Sequence, residues 1–183
     1  MKIISKTAAV LALIVAGVAV GQAQETWQRN VESQGGFSLC VPEGWSVEAQ
    51  KGDKFKMLIA PHSDTFTANI NVKKADSSLP SVSFLMASIK DVFVSVPANY
   101  GTGAVKLVAW TDLTTTAGRA GSKLVYEVEY KGLMIRSVQY LFEGEGTDKF
   151  IITGTCLVKD KDSLDGLFDR SAKSFQLEST PAK

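Results

Sequence analysis

The feature that most constrains the fold is a series of long alternating segments in the second half of the chain. Residues 123–130 and 133–143 are separated only by Lys131 and Gly132, a pair typical of a tight hairpin turn. Apolar and polar side chains alternate along the first segment, which is the two-residue period of a strand. Because so short a connection leaves no room for a crossover helix, the two strands must be antiparallel. Two flanking segments complete the predicted meander, residues 105–115 and 149–157.

Shorter strands and two helices are predicted around this meander. The shorter strands precede it, at residues 37–41, 45–49, 55–60 and 67–73. A helix follows the fourth of them, ends at Pro97 and lies on the sheet through an apolar stripe of Val82, Leu85, Met86, Ile89, Val92 and Phe93. A second helix closes the chain, with Ser163 as its N-cap and an apolar face of Leu164, Leu167, Phe168, Ser171, Ala172 and Phe175.

This order of elements predicts an α+β protein with a central, mostly antiparallel sheet of about seven or eight strands. The chain has 183 residues, of which 45% are hydrophobic. That length suits one domain with a substantial core and would be cramped for two.

The N-terminus has the three parts of a secretory signal peptide. Lys2 and Lys6 form a positive region, residues 7–20 are small and apolar, and small residues precede a cleavage site after Ala23. The apolar run is shorter than the ~20 residues of a membrane-spanning helix. Cys40, the first cysteine after the run, is too distant for a lipoprotein anchor. We therefore expect a bacterial protein that is periplasmic or secreted and has no stable membrane insertion after cleavage.

Four segments are predicted along the chain. Residues 1–23 form the signal peptide, and residues 24–35 form a flexible polar arm. Within that arm, Trp27 is expected to dock onto the domain, because an exposed tryptophan is unfavourable unless it is used. Residues 36–178 form a single domain, and residues 179–183 form a disordered tail.

The charge balance bears on the class of partner. Without Lys2 and Lys6, the chain has 18 basic against 19 acidic residues, a net charge of −1. A near-neutral chain without basic blocks has no electrostatic basis for binding nucleic acid or an anionic membrane. We expect neither of these partners, no cofactor and a monomeric state.

The two cysteines allow two interpretations after export. Cys40 and Cys156 lie on strand-like segments near opposite ends of the domain, in a compartment that permits disulfides. A bridge would close a loop of over a hundred residues, for which the chain-entropy treatment gives roughly 4 to 5 kcal/mol. Alternatively, both are small buried hydrophobes on different faces of a sheet. Both interpretations stay open, because a bridge requires the Cβ atoms to lie within ~4 Å.

Candidate catalytic residues are few. His62 is the only histidine and lies beside Pro61 in a predicted loop, where a solvated side chain is expected. No Gly-x-Ser-x-Gly elbow or Cys-x-x-Cys motif occurs. Glu127 and Glu129 share one strand face and could pair for acid–base chemistry, but outward positions of an amphipathic strand look the same. We expect no catalytic residue.

The best candidate for a metal motif is the acidic segment at the start of the last helix. Asp160, Asp162 and Asp165 alternate near a glycine, as calcium ligands do, but their spacing does not match an EF-hand loop. The helix dipole favours acidic residues in a first turn by ~0.3 to 1 kcal/mol each. The sequence therefore predicts that these residues are structural.

Two short motifs resemble a known family. Gly36–Trp45, with the sequence GFSLCVPEGW, resembles the opening hairpin of PsbP-like proteins, which are named for the extrinsic protein of photosystem II. Phe168–Phe175 resembles the helix that closes their fold, and the elements between match in order over residues 36 to 178. The resemblance implies an α-β-α sandwich. The family includes photosynthetic extrinsic subunits, a nuclear Ran-binding protein of the Mog type and exported bacterial proteins, and most members are adaptors or assembly factors.

The resemblance and the leader together favour the exported bacterial branch. We expect a non-enzymatic binding or assembly module whose partner is another envelope protein. The alternative is an enzyme or small-ligand carrier with a pocket between sheet and helix, lined by Trp110, Tyr126, Tyr130 and Tyr140. An exposed apolar patch over a filled core would support the first function, and a concave pocket with convergent polar groups would support the second.

Overall fold

The computed structural model describes residues 27–49, 54–100 and 104–178, which form an α+β fold around an antiparallel sheet. The strands are β1 (Gln28–Glu32), β2 (Phe37–Val41), β3 (Ser46–Glu48), β4 (Met57–Ile59), β5 (Asn69–Asp76), β6 (Lys106–Thr114), β7 (Ala120–Tyr130), β8 (Leu133–Glu143), β9 (Asp148–Leu157) and β10 (Gln176–Leu177). The helices are α1 (Ser81–Tyr100) and α2 (Lys161–Lys173), with a short 3-10 turn at Val158–Asp160 before α2.

The main sheet has seven strands in the order β3-β4-β5-β9-β8-β7-β6, and the predicted meander of β6 to β9 is confirmed. Lys131 and Gly132 both have positive φ, at 52° and 78°, as a two-residue hairpin turn of the I′ type requires. The turn pairs Tyr130 with Leu133 and so sets the register of the whole β7–β8 ladder.

A second, three-stranded sheet corrects the prediction of a flexible polar arm over residues 24–35. Residues 28–32 form β1, which pairs with β2, while β10 pairs with the other side of β2. Because β2 is buried, its backbone groups need partners on both sides, and these strands supply them. The docking of Trp27 is confirmed, since the Arg170 guanidinium carbon lies 4.2 Å from the Trp27 ring centroid. Residues 1–26, including the predicted signal peptide and Ala23, and residues 179–183 lie outside the described part.

The main core lies between one face of the seven-stranded sheet and a layer made of α2 and the small sheet. Phe37 contributes from β2, Phe168 from α2, and Phe175 follows α2. The Phe142 and Phe175 rings stack with centroids 5.0 Å apart. Each fully buried side chain of this size contributes about 1.5–3 kcal/mol of transfer free energy, so this cluster is the main source of stability.

The opposite face of the sheet carries a smaller core that α1 covers in part. Leu85 is buried and Ile89 packs against a cluster that includes Leu124 and Tyr126, so helices lie on both faces and the predicted sandwich is confirmed. The predicted stripe is only partly correct, because Met86 is 50% exposed. Phe93 is also exposed, and the side chains of Val82 and Val92 are not among those described.

The predicted ends of both helices need correction. Pro97 does not end α1, which continues to Tyr100. A proline inside a helix loses one hydrogen bond and crowds the carbonyl four residues earlier, which can kink a helix without ending it. The N-cap position of α2 is Asp160 rather than Ser163, and the Ser163 hydroxyl instead donates to the Asp160 carbonyl at 2.9 Å. Within the described ranges, no helix combines the length and the apolar character needed to cross a membrane.

Candidate functional site

A buried charged cluster joins the sheet to α2. Arg136 on β8 is only 8% exposed. It donates through Nη1 to Glu127 on β7 at 2.9 Å, and through Nε and Nη2 to both carboxylate oxygens of Asp165 on α2, at 3.0 and 2.7 Å. The hydrogen bond to Asp165 is the largest cause, and the one to Glu127 a smaller cause, of a raised pKa for Arg136. Two carboxylates therefore neutralise one buried guanidinium.

A second polar group lies one turn further along α2. The Asp169 carboxylate accepts hydrogen bonds from Lys123 Nζ and from the Tyr140 hydroxyl, each at 2.6 Å. Burial, followed by the hydrogen bond to Asp169, raises the pKa of Tyr140 above its usual range. The phenol is therefore held as a neutral donor, and this group acts as a second attachment of α2 to the sheet.

These contacts bear on the acid–base hypothesis for Glu127 and Glu129. Glu127 faces the layer under α2 and is bound by Arg136, while Glu129 is exposed. Glu127 is thus occupied in an ion pair, and the carboxylate that shares its guanidinium partner is Asp165 rather than Glu129. The sequence reasoning did not identify Arg136, although the two-residue turn already places Arg136 opposite Glu127 in the ladder.

The three aspartates considered as metal ligands have different positions and partners. Asp160 occupies the N-cap position of α2, Asp162 pairs with Lys161 at 2.8 Å, and Asp165 binds Arg136. No group of three or more potential ligands for a metal ion occurs within residues 27–49, 54–100 and 104–178. Asp162 and Asp165 are thus engaged by cationic side chains, while Asp160 makes no side-chain capping hydrogen bond.

The two cysteines are free thiols in the structure. Cys156 is fully buried in the main core, and burial raises the pKa of its thiol to about 12. Phe37 and Leu39 on β2 also face that core, so Cys40, one residue further along the pleat, points the other way. The two cysteines lie in different sheets, and Cys40 is half-buried, whereas the second interpretation expected it to be buried.

The aromatic residues proposed as the lining of one pocket do not converge. Tyr140 lies in the main core, while Tyr126 and Tyr130 belong to the cluster on the opposite face of the sheet. Trp110 is 44% exposed on the edge strand β6. The shared lining predicted from the sequence is therefore wrong. His62 is exposed in its loop, as predicted.

One cleft, of about 580 Å³, lies between the β6–β7 turn and the chain that follows α2. Its charged groups are already paired. Arg119 donates to the carbonyl of Glu143 at 2.6 Å, and the Glu143 carboxylate accepts from Ser81 and from Lys149. The hydrogen bond from Ser81, then that from Lys149, lowers the pKa of Glu143. The charged side chains that line the cleft, Arg119 and Glu143, are therefore both held by hydrogen bonds.

Three exposed apolar side chains lie on β6, which forms one edge of the main sheet, and three others, Met86, Phe93 and Val94, lie on α1. Leu107, Val108 and Trp110 are 46%, 41% and 44% exposed. A bulge at Val108 shifts the pairing with β7 between Leu107 and Ala109. The opposite edge, β3, has only three residues against nine in β6. We call Leu107, Val108 and Trp110 the β6 surface, and it is the strongest candidate for an interface in the described part of the chain.

Comparison with known proteins places this geometry in context. No family model matches the chain, and no curated protein matches it by sequence. Solved structures do match. The solution structure of cyanobacterial PsbP (CyanoP) from Synechocystis sp. PCC 6803 is 15% identical, with a TM-score of 0.61 over 88% of this chain and 98% of that one.

Two other matches come from different kingdoms of life. The Ran-binding protein Mog1p of Saccharomyces cerevisiae is 10% identical, with a TM-score of 0.59 over 85% of this chain and 97% of that one. LpqN of Mycobacterium tuberculosis, which is involved in cell envelope biogenesis, is 10% identical, with a TM-score of 0.56 over 86% and 88%. At these identities the likeness concerns the fold. The chain therefore has the PsbP-like/Mog1 fold.

Proposed function

We propose that the protein is a non-enzymatic binding module of the bacterial cell envelope, exported through its N-terminal leader, and that it binds another protein through the β6 surface. The observation that carries this proposal is the combination of an open nine-residue edge strand with three exposed apolar side chains. A strand edge offers unpaired backbone groups, and a partner segment can add to it as a further strand.

The side chains of the β6 surface supply a useful binding energy. Full burial of an aliphatic or aromatic side chain contributes about 1.5–3 kcal/mol. The three residues are 41–46% exposed, so covering them contributes about 2 to 4 kcal/mol in total. Because a tryptophan at an interface centre is often the residue that dominates affinity, Trp110 is the expected anchor.

The surroundings of the β6 surface favour a specific partner over self-association. The bulge at Val108 interrupts the regular ladder and increases the local twist, which disfavours pairing with an arbitrary strand. Lys106 and Asp112 place opposite charges on either side of the apolar residues. A partner strand with matching charges is therefore preferred, in keeping with a monomer in the absence of that partner.

The descriptions of two matched structures support a binding role in the envelope. Mog1p is described as a Ran-binding protein and LpqN as a protein involved in cell envelope biogenesis. In this chain, the carboxylates of Glu127, Asp165 and Asp169 are engaged by cations or a phenol between α2 and the sheet. These groups hold α2 on the sheet, and the proposed binding function does not use them.

The proposal is tested by photo-crosslinking in intact cells. A photoreactive residue is placed at Val108, and a matched one at Val31 on β1, which is 53% exposed. We expect one defined protein adduct from position 108 and none of that mass from position 31. The captured protein is then purified and its affinity measured by calorimetry for wild type, L107S/W110S and the control V31S.

The double substitution should weaken binding by at least about tenfold, as loss of roughly 2 kcal/mol implies, while V31S should leave binding unchanged. Equal affinity of all three proteins would refute a role for the β6 surface. If a single small metabolite stabilises the chain and position 108 captures nothing, the protein-binding function itself should be abandoned.

A further inference from the structure

A patch of uncharged polar side chains occupies the centre of the sheet face that α1 covers only in part. The register aligns them in two rows across β5, β9 and β8, one of Asn71, Thr153 and Gln139 and the other of Asn69, Thr155 and Ser137. We call these six residues the polar grid. With strands ~4.8 Å apart and alternate residues ~7 Å apart, the polar grid measures about 10 Å by about 7 Å.

The composition of the polar grid is not what the sheet requires. On the other face of the same strands, Ile70, Val72 and Ile152 are buried in the main core. Strand positions favour β-branched and aromatic residues, and asparagine is depleted from strands. Charged residues make up 21% of the chain, yet none stands at these six positions. Two asparagines side by side on a central strand therefore suggest a use other than sheet formation.

Several hydrogen-bonding groups of the polar grid have no partner among the described residues. Five of the six side chains are half-buried, and Ser137 is buried. Within the described residues, the side chains of Asn71, Thr153 and Thr155 make no hydrogen bond. The Gln139 amide nitrogen donates to the Tyr126 hydroxyl at 3.3 Å, which leaves its amide oxygen to accept from elsewhere.

The Asn69 side chain, like that of Gln139, uses its amide nitrogen within the protein and can still accept a hydrogen bond. Its amide nitrogen donates to the Thr67 carbonyl at 3.3 Å, and its amide oxygen can still accept a hydrogen bond. Phe66, which is half-buried, packs against the apolar cluster that borders the polar grid, and Ile89 of α1 packs against the same cluster. The polar grid thus combines donors and acceptors with an apolar border.

We infer that the polar grid binds an uncharged oligosaccharide. Each sugar hydroxyl both donates and accepts a hydrogen bond, as the amides and hydroxyls of Asn71, Thr153 and Gln139 do, and no counter-charge is needed. The positions are held by three central strands, so the donors and acceptors are already in place before the ligand arrives. Phe66 offers an apolar contact for the C–H groups of a sugar ring.

This site is separate from the β6 surface. Strand β7 lies between β8 and β6 in the sheet, and Leu124, the residue of β7 between Gln139 and Trp110, is buried. Loss of one activity should therefore leave the other intact, and each can be tested by itself.

The experiment is an NMR titration of the full chain with three uncharged trisaccharides, maltotriose, cellotriose and triacetylchitotriose, each up to about 10 mM, a range that detects weak binding. We expect at least one of them to shift the amide signals of β5, β8 and β9 around Asn71, Thr153 and Gln139. The substitution pair N71A/T153V should weaken that binding by at least about tenfold.

The control is T111V, which removes an exposed neutral hydroxyl from β6 and should leave the affinity unchanged. If N71A/T153V does not fold, the conservative substitution T155V and the signal mapping in the wild type still locate the site. The inference is overturned if none of the three sugars shifts these signals, if the shifts fall elsewhere, or if the substituted chain binds as tightly as the wild type.

Discussion

Replacement of Arg136 by methionine tests the charged cluster under α2. Methionine keeps the aliphatic length but removes the guanidinium, leaving the Glu127 carboxylate, which is 9% exposed, without its main partner. Removing one partner of a buried pair costs about 3–5 kcal/mol. Because the Asp165 side chain remains 29% exposed and can regain water, we expect the lower end of that range, about 3 kcal/mol of unfolding free energy. Urea unfolding followed by circular dichroism measures this loss.

Two further substitutions make this result specific to Arg136. Lys106 also approaches Glu127, but at 3.7 Å and with 74% of its side chain exposed, so K106M should change stability by less than about 1 kcal/mol. E127Q should destabilise the wild type, where it weakens the pair, and stabilise R136M, where it removes an uncompensated charge. A loss below about 1 kcal/mol for R136M, or an E127Q effect of the same sign in both backgrounds, would refute the reasoning.

Three other predictions follow from the core. A methyl group at Gly154 would lie 2.5 Å from the Phe168 ring, so G154A should cost about 1–3 kcal/mol in urea unfolding, whereas G166A, with nothing within 4 Å, should not destabilise. Iodoacetamide at pH 8 should label the half-buried Cys40 in the folded protein, and Cys156 only after unfolding. Mass spectrometry measures the label on each cysteine, and equal labelling of both in the folded protein would contradict this prediction. Because the pKa of Cys156 is raised to about 12 by burial, its contribution to stability is complete below about pH 8.5 and is lost as the pH rises towards 12. The free energy of unfolding, measured with urea, should therefore fall between these pH values, and the fall should be smaller in C156A.

The meander was predictable because its signals are local. Alternation along β7 and the Lys131–Gly132 turn specify two strands and their register within a single stretch of the chain. The same turn implies the pairing of Glu127 with Arg136, although the sequence reasoning treated Glu127 as half of a carboxylate pair. A register argument would have found that contact, since it depends only on counting from the turn.

Other features depend on contacts between distant segments. The polar segment 28–32 becomes β1 because β2 is buried and needs a backbone partner, a demand that the segment's own composition does not reveal. Asp165 and Asp169 are acidic residues of a predicted helix, and only the packing of α2 on the sheet brings them to Arg136 and Tyr140. Exposure on α1 also depends on how the helix packs on the sheet, so the sequence could not predict which residues of its apolar stripe would stay exposed.

By itself, the sequence determined the class of fold, the order of its elements and the antiparallel meander, since periodicity and turn chemistry act over a few residues. It also predicted a leader and a PsbP-like architecture from the motifs around Gly36–Trp45 and Phe168–Phe175. Only the tertiary structure decided which side chains remain at the surface. The exposure of Trp110 on an open edge, and the gathering of Asn71, Thr153 and Gln139 on one face, arise from strand order and layer packing, which join residues far apart in the chain.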